Sequence, residues 1–143
     1  MTLRSLAVHA FAIAACIAFA APATAEVLTM KVPLSGANEV PANTSAAKGE
    51  ADVTFDTAAK TLSWKVSYSG LTGPATAAHF HGPAEPGKNA AVVVPIPGPG
   101  ASGAEGSATL TDAQAADLVA GRYYINVHTA AHPGGEIRGQ VTK

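Results

Sequence analysis

The chain has 143 residues, with Lys and Arg totalling 9 against 10 Asp and Glu, for a formal net charge of −1. That balance, with only 13% of residues charged, excludes the basic footprint of a nucleic-acid binder and leaves no basic amphipathic helix for a membrane surface. The length suits one domain with a real core, and small β-compatible residues punctuated by 14 Gly and 10 Pro point to an all-β fold with many turns.

Met1 to Ala25 reads as a secretory signal peptide. Arg4 lies near its start, Leu6 to Ala21 is apolar apart from His9, and Ala23-Thr24-Ala25 has the A-x-A form of a cleavage site. Cleavage after Ala25 leaves residues 26–143 as one β domain, periplasmic or secreted. The apolar run is too short and too Ala-rich to span a membrane. The only cysteine, Cys16, lies inside this leader, so the mature chain carries neither thiol nor disulfide. Its stability must come from a core, or from a core plus a metal.

Val27 to Leu34 alternates loosely as a first strand, with Pro33 near its end suiting an edge position. Ser35 to Pro41 is a turn-rich link. Gly49 to Asp56 alternates cleanly, with Ala51, Val53 and Phe55 on one face. Thr61 to Ser69 is the clearest strand: Leu62, Trp64, Val66 and Tyr68 share a face, and Trp64 is expected at the centre of the core. In Thr76 to Gly82, period two places Ala77, His79 and His81 opposite Ala78 and Phe80. Ala90 to Ile96 is apolar enough to be buried on both faces. Pro97 to Gly103 is irregular, and Glu105 to Leu110 is another short strand.

Thr111 opens the one credible helix. Thr111 and Gln114 have the spacing of a capping box, Ala115, Leu118 and Val119 face the core, and Gly121 closes the helix. Arg122 to Thr129 is a strand with Tyr123, Ile125 and Val127 opposite Tyr124, Asn126 and His128. After the turn at Pro133-Gly134-Gly135, Glu136 to Val141 is the last strand. Seven or eight short strands with turns between them give a Greek-key β-sandwich or small barrel, of superoxide dismutase-like or immunoglobulin-like kind, with one short helix.

Beyond the leader, histidines occur in only two segments: His79 and His81 in the first, His128 and His132 in the second. If Phe80, Ile125 and Val127 are core residues, then His79, His81 and His128 point away from the core, and packing does not explain them. Strand residues two apart are about 6.5–7 Å apart at Cα, so two imidazoles can reach one ion at the usual Zn–N distance of about 2.0–2.1 Å. His128 from a neighbouring strand completes three ligands. His132, in the loop beyond, either supplies a fourth or is simply solvated. An all-imidazole set suits copper, zinc or nickel. The affinity order favours copper, as Cu(II), with zinc the alternative. Tyr124 and Asn126 flank this face either as supporting groups or as plain exposed residues. Glu136 and Arg138 read as surface ion-pair partners across neighbouring strands. No nucleophile elbow, cysteine nucleophile or phosphate loop is present.

Three stretches resemble the chordin-type CHRD domain family: Leu34-Ser35-Gly36-Ala37-Asn38-Glu39-Val40-Pro41, Ala78-His79-Phe80-His81-Gly82-Pro83, and Leu118 through Thr129 running on to Pro133-Gly134-Gly135-Glu136-Ile137-Arg138-Gly139-Gln140. The resemblance covers nearly the whole chain after the leader. It implies a secreted or periplasmic β-sandwich and no particular activity. A looser resemblance is to copper/zinc superoxide dismutases, whose three copper-ligand positions His79, His81 and His128 match in type and order. The bridging histidine, the zinc-ligand loop and the intersheet cysteines have no counterpart here, and the spacing of Arg138 does not match the dismutase arginine. The resemblance therefore implies a copper site on a similar scaffold without full dismutase activity.

The expected protein is an exported monomer that holds one copper ion for periplasmic metal handling, the ion and a periplasmic protein being the partners it could have. A copper redox enzyme and a metal-free protein-binding module are the alternatives.

Overall fold

The computed structural model describes residues 25–143. The expected signal peptide up to residue 24, Cys16 included, lies outside the described residues. Eight strands form one antiparallel sheet in the order β5-β4-β7-β8-β1-β2-β3-β6. They are β1 (Val27–Ser35), β2 (Lys48–Asp56), β3 (Thr61–Ser69), β4 (Ala75–His81), β5 (Val92–Pro95), β6 (Ala104–Thr109), β7 (Tyr123–Thr129) and β8 (Ile137–Val141). Among the described residues a single α-helix, α1 (Asp112–Val119), links β6 to β7, and a 3-10 turn at Gly36–Asn38 follows β1. The sheet curls until its two edges, β5 and β6, line opposite sides of one cleft. Around the nearly closed barrel the strands then run 3-6-5-4, a Greek key.

Period-two alternation sets the inside of the barrel. Leu28, Met30, Val32 and Leu34 of β1 are buried, each separated by an exposed residue. Ala51, Val53 and Phe55 of β2 and Leu62, Trp64 and Val66 of β3 repeat the pattern. Trp64 packs edge-on against Phe80 of β4, with ring centroids 5.3 Å apart, so the two ends of the sheet meet across the core. The outward face of β1, β2, β3 and β6 is solvated. Lys31 bonds Glu50 and Asp52, and Lys65 pairs with Glu105 across neighbouring strands. Such exposed pairs contribute little to stability.

The helix has the predicted cap. The Thr111 hydroxyl accepts from Gln114 N, and the Gln114 side chain accepts from Thr111 N at 2.9 Å. Gly121 follows with φ +74°, which favours glycine. Only Leu118 is fully buried; Val119, expected in the core, is 44% exposed. An eight-residue helix lying on a barrel offers one narrow stripe to it, and Leu118 with Ala115 fills that stripe.

Two other expectations are corrected. The apolar run from Ala90 to Ile96 is not buried on both faces: β5 is an edge strand paired only with β4, and Val92 is 49% exposed. Strand β1, marked as an edge by Pro33, lies inside the sheet order. Its pairing with β8 is nevertheless a single position, Ser35 with Arg138, and Pro33 has no N–H to extend that ladder. The strands stay close because Gly139 lacks a side chain. A Cβ there would collide with Pro33 O and come within 2.7 Å of Val32 Cγ1 and 2.8 Å of Leu34 Cδ2. Gly139→Ala is therefore expected to lower stability by about 1–3 kcal/mol through overpacking, read as a lower urea midpoint with an unchanged slope.

Candidate metal centre

The site is a consequence of sheet register. On β4 and β7, His81 lies opposite Tyr124, His79 opposite Asn126, and Ala77 opposite His128. On β7 and β8, Tyr124 lies opposite Gln140 and Asn126 opposite Arg138. Opposed residues share a face, so His79, His81, Tyr124, Asn126, His128, Arg138 and Gln140 all project from the outside of the barrel. The alternate set, with Phe80, Ile125, Val127 and Ile137, fills the core at 0% exposure. His79 and His128 are diagonal neighbours, a separation of about 7–8 Å that two long side chains can bridge.

The three imidazoles converge. One ring nitrogen from each of His79, His81 and His128 lies within 4.8 Å of the others. His79 Nδ1 and His128 Nε2 are 3.2 Å apart. Two nitrogens on one ion at about 2.0 Å lie about 2.8–4 Å apart, so the His79–His128 pair is already at ligand spacing and the widest pair must close in by roughly 1–2 Å.

Hydrogen bonds assign the tautomers. Only an N–H can donate to a carbonyl, so His81 Nδ1 donates to Ala90 O at 3.0 Å and His128 Nδ1 donates to Pro133 O at 2.9 Å. Each therefore turns an Nε2 lone pair toward the cluster. His81 Nε2 is buried and has no hydrogen-bond partner among the described residues. His79 Nδ1–H must then donate to His128 Nε2. Burial holds the pKa of His79 and of His81 below the ordinary value, with further lowering from the neighbouring imidazoles. On His81 the Ala90 carbonyl pulls the other way and does not prevail. Neutral imidazole is the form that binds metal, and an orphaned, buried acceptor nitrogen fits a cation better than it fits a packed core.

The face is outward but not open. His81 is only 8% exposed, and Tyr124, Asn126 and Arg138 are buried. The segment after β4 roofs them. His81 stacks flat on Tyr124 at 4.8 Å, and the Arg138 guanidinium lies 3.4 Å from the Tyr124 ring centroid on this face. Arg138 also donates to Asn89 Oδ1 at 2.8 Å and to Lys88 O at 2.6 Å. Ala90, whose carbonyl orients His81, donates its N–H to Tyr124 Oη. Asn89 of the same segment donates to Val40 O, and Gln140 of β8 donates to the segment's Ala84 O. Tyr124 and Asn126 are thus buried supports and not exposed strand residues.

The expected surface pairing of Glu136 with Arg138 is also corrected. Both are buried, and they belong to separate networks. Glu136 Oε1 accepts from Ser45 Oγ at 2.7 Å and Thr72 N at 2.9 Å, and its Oε2 accepts from Thr72 Oγ1 at 2.8 Å and Thr129 Oγ1 at 2.7 Å. Residue 136 precedes β8, so strand alternation does not govern where its side chain goes.

His132 does not join the three imidazoles. Its backbone shapes the turn after β7, accepting from Thr129 N and Gly135 N. It lines a separate cleft of about 260 Å³ with Glu39, Asn43 and Gly135. Glu39 was not identifiable as a site neighbour from its turn-rich surroundings. Its carboxyl is buried, with Oε1 unpartnered among the described residues. Burial pushes its pKa up to about 7, against the opposing pull of Arg138, Val40 N–H and Asn126. Asn126 lies between Glu39 and His81 and favours the charged form of each, so this carboxyl neighbours the histidine face.

Among the described residues no helix is long and apolar enough to cross a membrane. The family model of the CHRD domain matches residues 30–141. No curated protein and no solved structure matches the chain.

Proposed function

This chain belongs to the CHRD domain family, and on that premise we propose that it is an exported protein that holds one copper ion, as Cu(II), for metal handling in the periplasm. Membership of the family points to an extracellular module. The observation that carries the metal reading is the buried, unpartnered Nε2 of His81, aimed at two half-buried imidazoles. His79, His81 and His128 are the ligands, and copper heads zinc in affinity for such a set. His132 stands apart, so the ion keeps a position open for exchange with a periplasmic protein partner. That open position also favours the second reading, a copper redox enzyme, over a metal-free binding module.

Copper titration of the purified monomer, followed by EPR, tests the proposal. One equivalent is expected to give a type 2 signal with nitrogen hyperfine structure from imidazole. Weak, non-stoichiometric uptake with no such splitting would sink it. A superoxide assay on the loaded protein separates storage from redox chemistry.

Arg138 supplies a further expectation. It touches no ligand, but it clamps the segment that orients His81 and lies on the face of Tyr124. Arg138→Met is expected to weaken copper binding by about 10–100-fold, the usual cost of losing an outer support. The Ala90 amide should exchange with solvent faster in this variant, because its segment loses two hydrogen bonds. Unchanged affinity and exchange would show that the clamp does not act on the site.

A further inference from the structure

The two unpaired edges of the sheet, β5 and β6, enclose a cleft of about 340 Å³ lined by Trp64, Val94, Pro95, Pro97, Gly106, Ser107 and Ala108. It lies on the far side of β5 from the histidines of β4. No charged side chain lines it, and its surface is mainly apolar. One polar atom is anomalous. Trp64 is 5% exposed, and its indole Nε1–H has no hydrogen-bond partner among the described residues. A buried donor without an acceptor costs about 1–3 kcal/mol, and tryptophan in a core normally finds one.

The direction of that N–H is fixed by Gly106. Trp64 and Gly106 are opposed on β3 and β6. A Cβ on Gly106 would lie 2.6 Å from Trp64 Cζ2, 2.9 Å from Cε2 and 3.3 Å from Nε1. The nitrogen-bearing edge of the indole therefore lies over β6, at the seam. The glycine is what lets the indole reach it.

We propose that this seam is a binding site for a small, uncharged, largely apolar molecule carrying one hydrogen-bond acceptor, such as a ketone, which Trp64 Nε1–H would engage. The volume is at the lower end for ligand pockets. The lining excludes charge, because no counter-charge is present to offset desolvation. The free donor asks for an acceptor oxygen and not for another donor. The site is independent of the metal reading.

The test uses two probes of the same shape, cyclohexanone and methylenecyclohexane, of which only the first has the acceptor. Trp64 is the sole tryptophan, so the protein gives one indole N–H resonance in a proton–nitrogen correlation spectrum. Cyclohexanone is expected to move that resonance downfield along a saturable curve, with accompanying shifts at Val94 and Ala108. Methylenecyclohexane should bind about 2–10-fold more weakly and leave the indole proton almost unmoved, the factor expected for one hydrogen bond. Equal responses to both probes, a non-saturating shift, or shifts spread over the barrel would overturn the proposal. So would a concentration-dependent loss of the indole signal without probe, which would mean that a second copy of the chain fills the seam.

Discussion

His81→Ala is expected to reduce copper affinity by at least about 100-fold, since even the supports around a metal ligand are worth about 10–100-fold. Of the three imidazoles, His81 is the one most completely prepared to act as a ligand. Its Nδ1 is held by Ala90 O, its ring is sandwiched against Tyr124, and its Nε2 has no other partner. The readout is thermal unfolding with and without metal. At free copper about 100-fold above the dissociation constant, the unaltered protein should gain about 2.7 kcal/mol, and the variant should gain almost nothing. Without metal the variant should remain folded, because the lost stacking is partly offset by removal of an unsatisfied buried nitrogen. Equal stabilisation of both proteins by copper would exclude His81 as a ligand.

Glu136→Gln should cost about 3 kcal/mol of folding stability. The carboxylate is fully buried and accepts four hydrogen bonds, from Ser45, Thr72 twice, and Thr129. Desolvation alone would raise its pKa. The four donors outweigh it and hold the group down at about 2, against an ordinary 4.5. A depressed carboxyl pKa stabilises the folded state above the unfolded value, and that contribution is lost as pH falls from about 4.5 toward 2. The figure of about 3 kcal/mol reflects turning one oxygen of a buried four-fold acceptor into a donor that faces hydroxyls, at about 1–3 kcal/mol for each buried polar group left unpaired. An amide in its place keeps one acceptor oxygen and points an N–H₂ at donors. Urea unfolding at pH 7 should show the loss, and the variant's stability should depend less steeply on pH between 5 and 2. An unchanged midpoint would mean that the hydroxyls find other partners.

What was legible in the sequence was whatever strand alternation controls. Phe80 inside with His79 and His81 outside, Trp64 in the core, and the capping box at Thr111 all follow from period or spacing over a few residues. The trio itself needed one further fact, that β4 and β7 are neighbours, and the pattern of residues does not contain it. Burial of the outward face was not legible either. Nothing in Tyr124-Ile125-Asn126 reveals that the segment after β4 folds back over it, because the contacts are made by Asn89, Lys88 and Ala90 from a stretch with no periodicity. Glu136 and Arg138 look like surface charges for the same reason. Their partners, Thr72, Ser45 and Asn89, come from loops whose paths are set by the whole barrel. His132 lies only four positions beyond His128, yet the turn after β7 carries it to another cleft.

The pairing of His79 with His128 spans 49 positions in the chain and exists only through the β4–β7 ladder. An unfolded chain offers a metal only local pairs, His79 with His81 and His128 with His132, chelates any exposed peptide could match. A metal held by all three imidazoles is therefore acquired after the polypeptide has folded, in whatever compartment folding takes place. For such a metal, the order of events in biogenesis, and not the donor set alone, would decide which ion is met first.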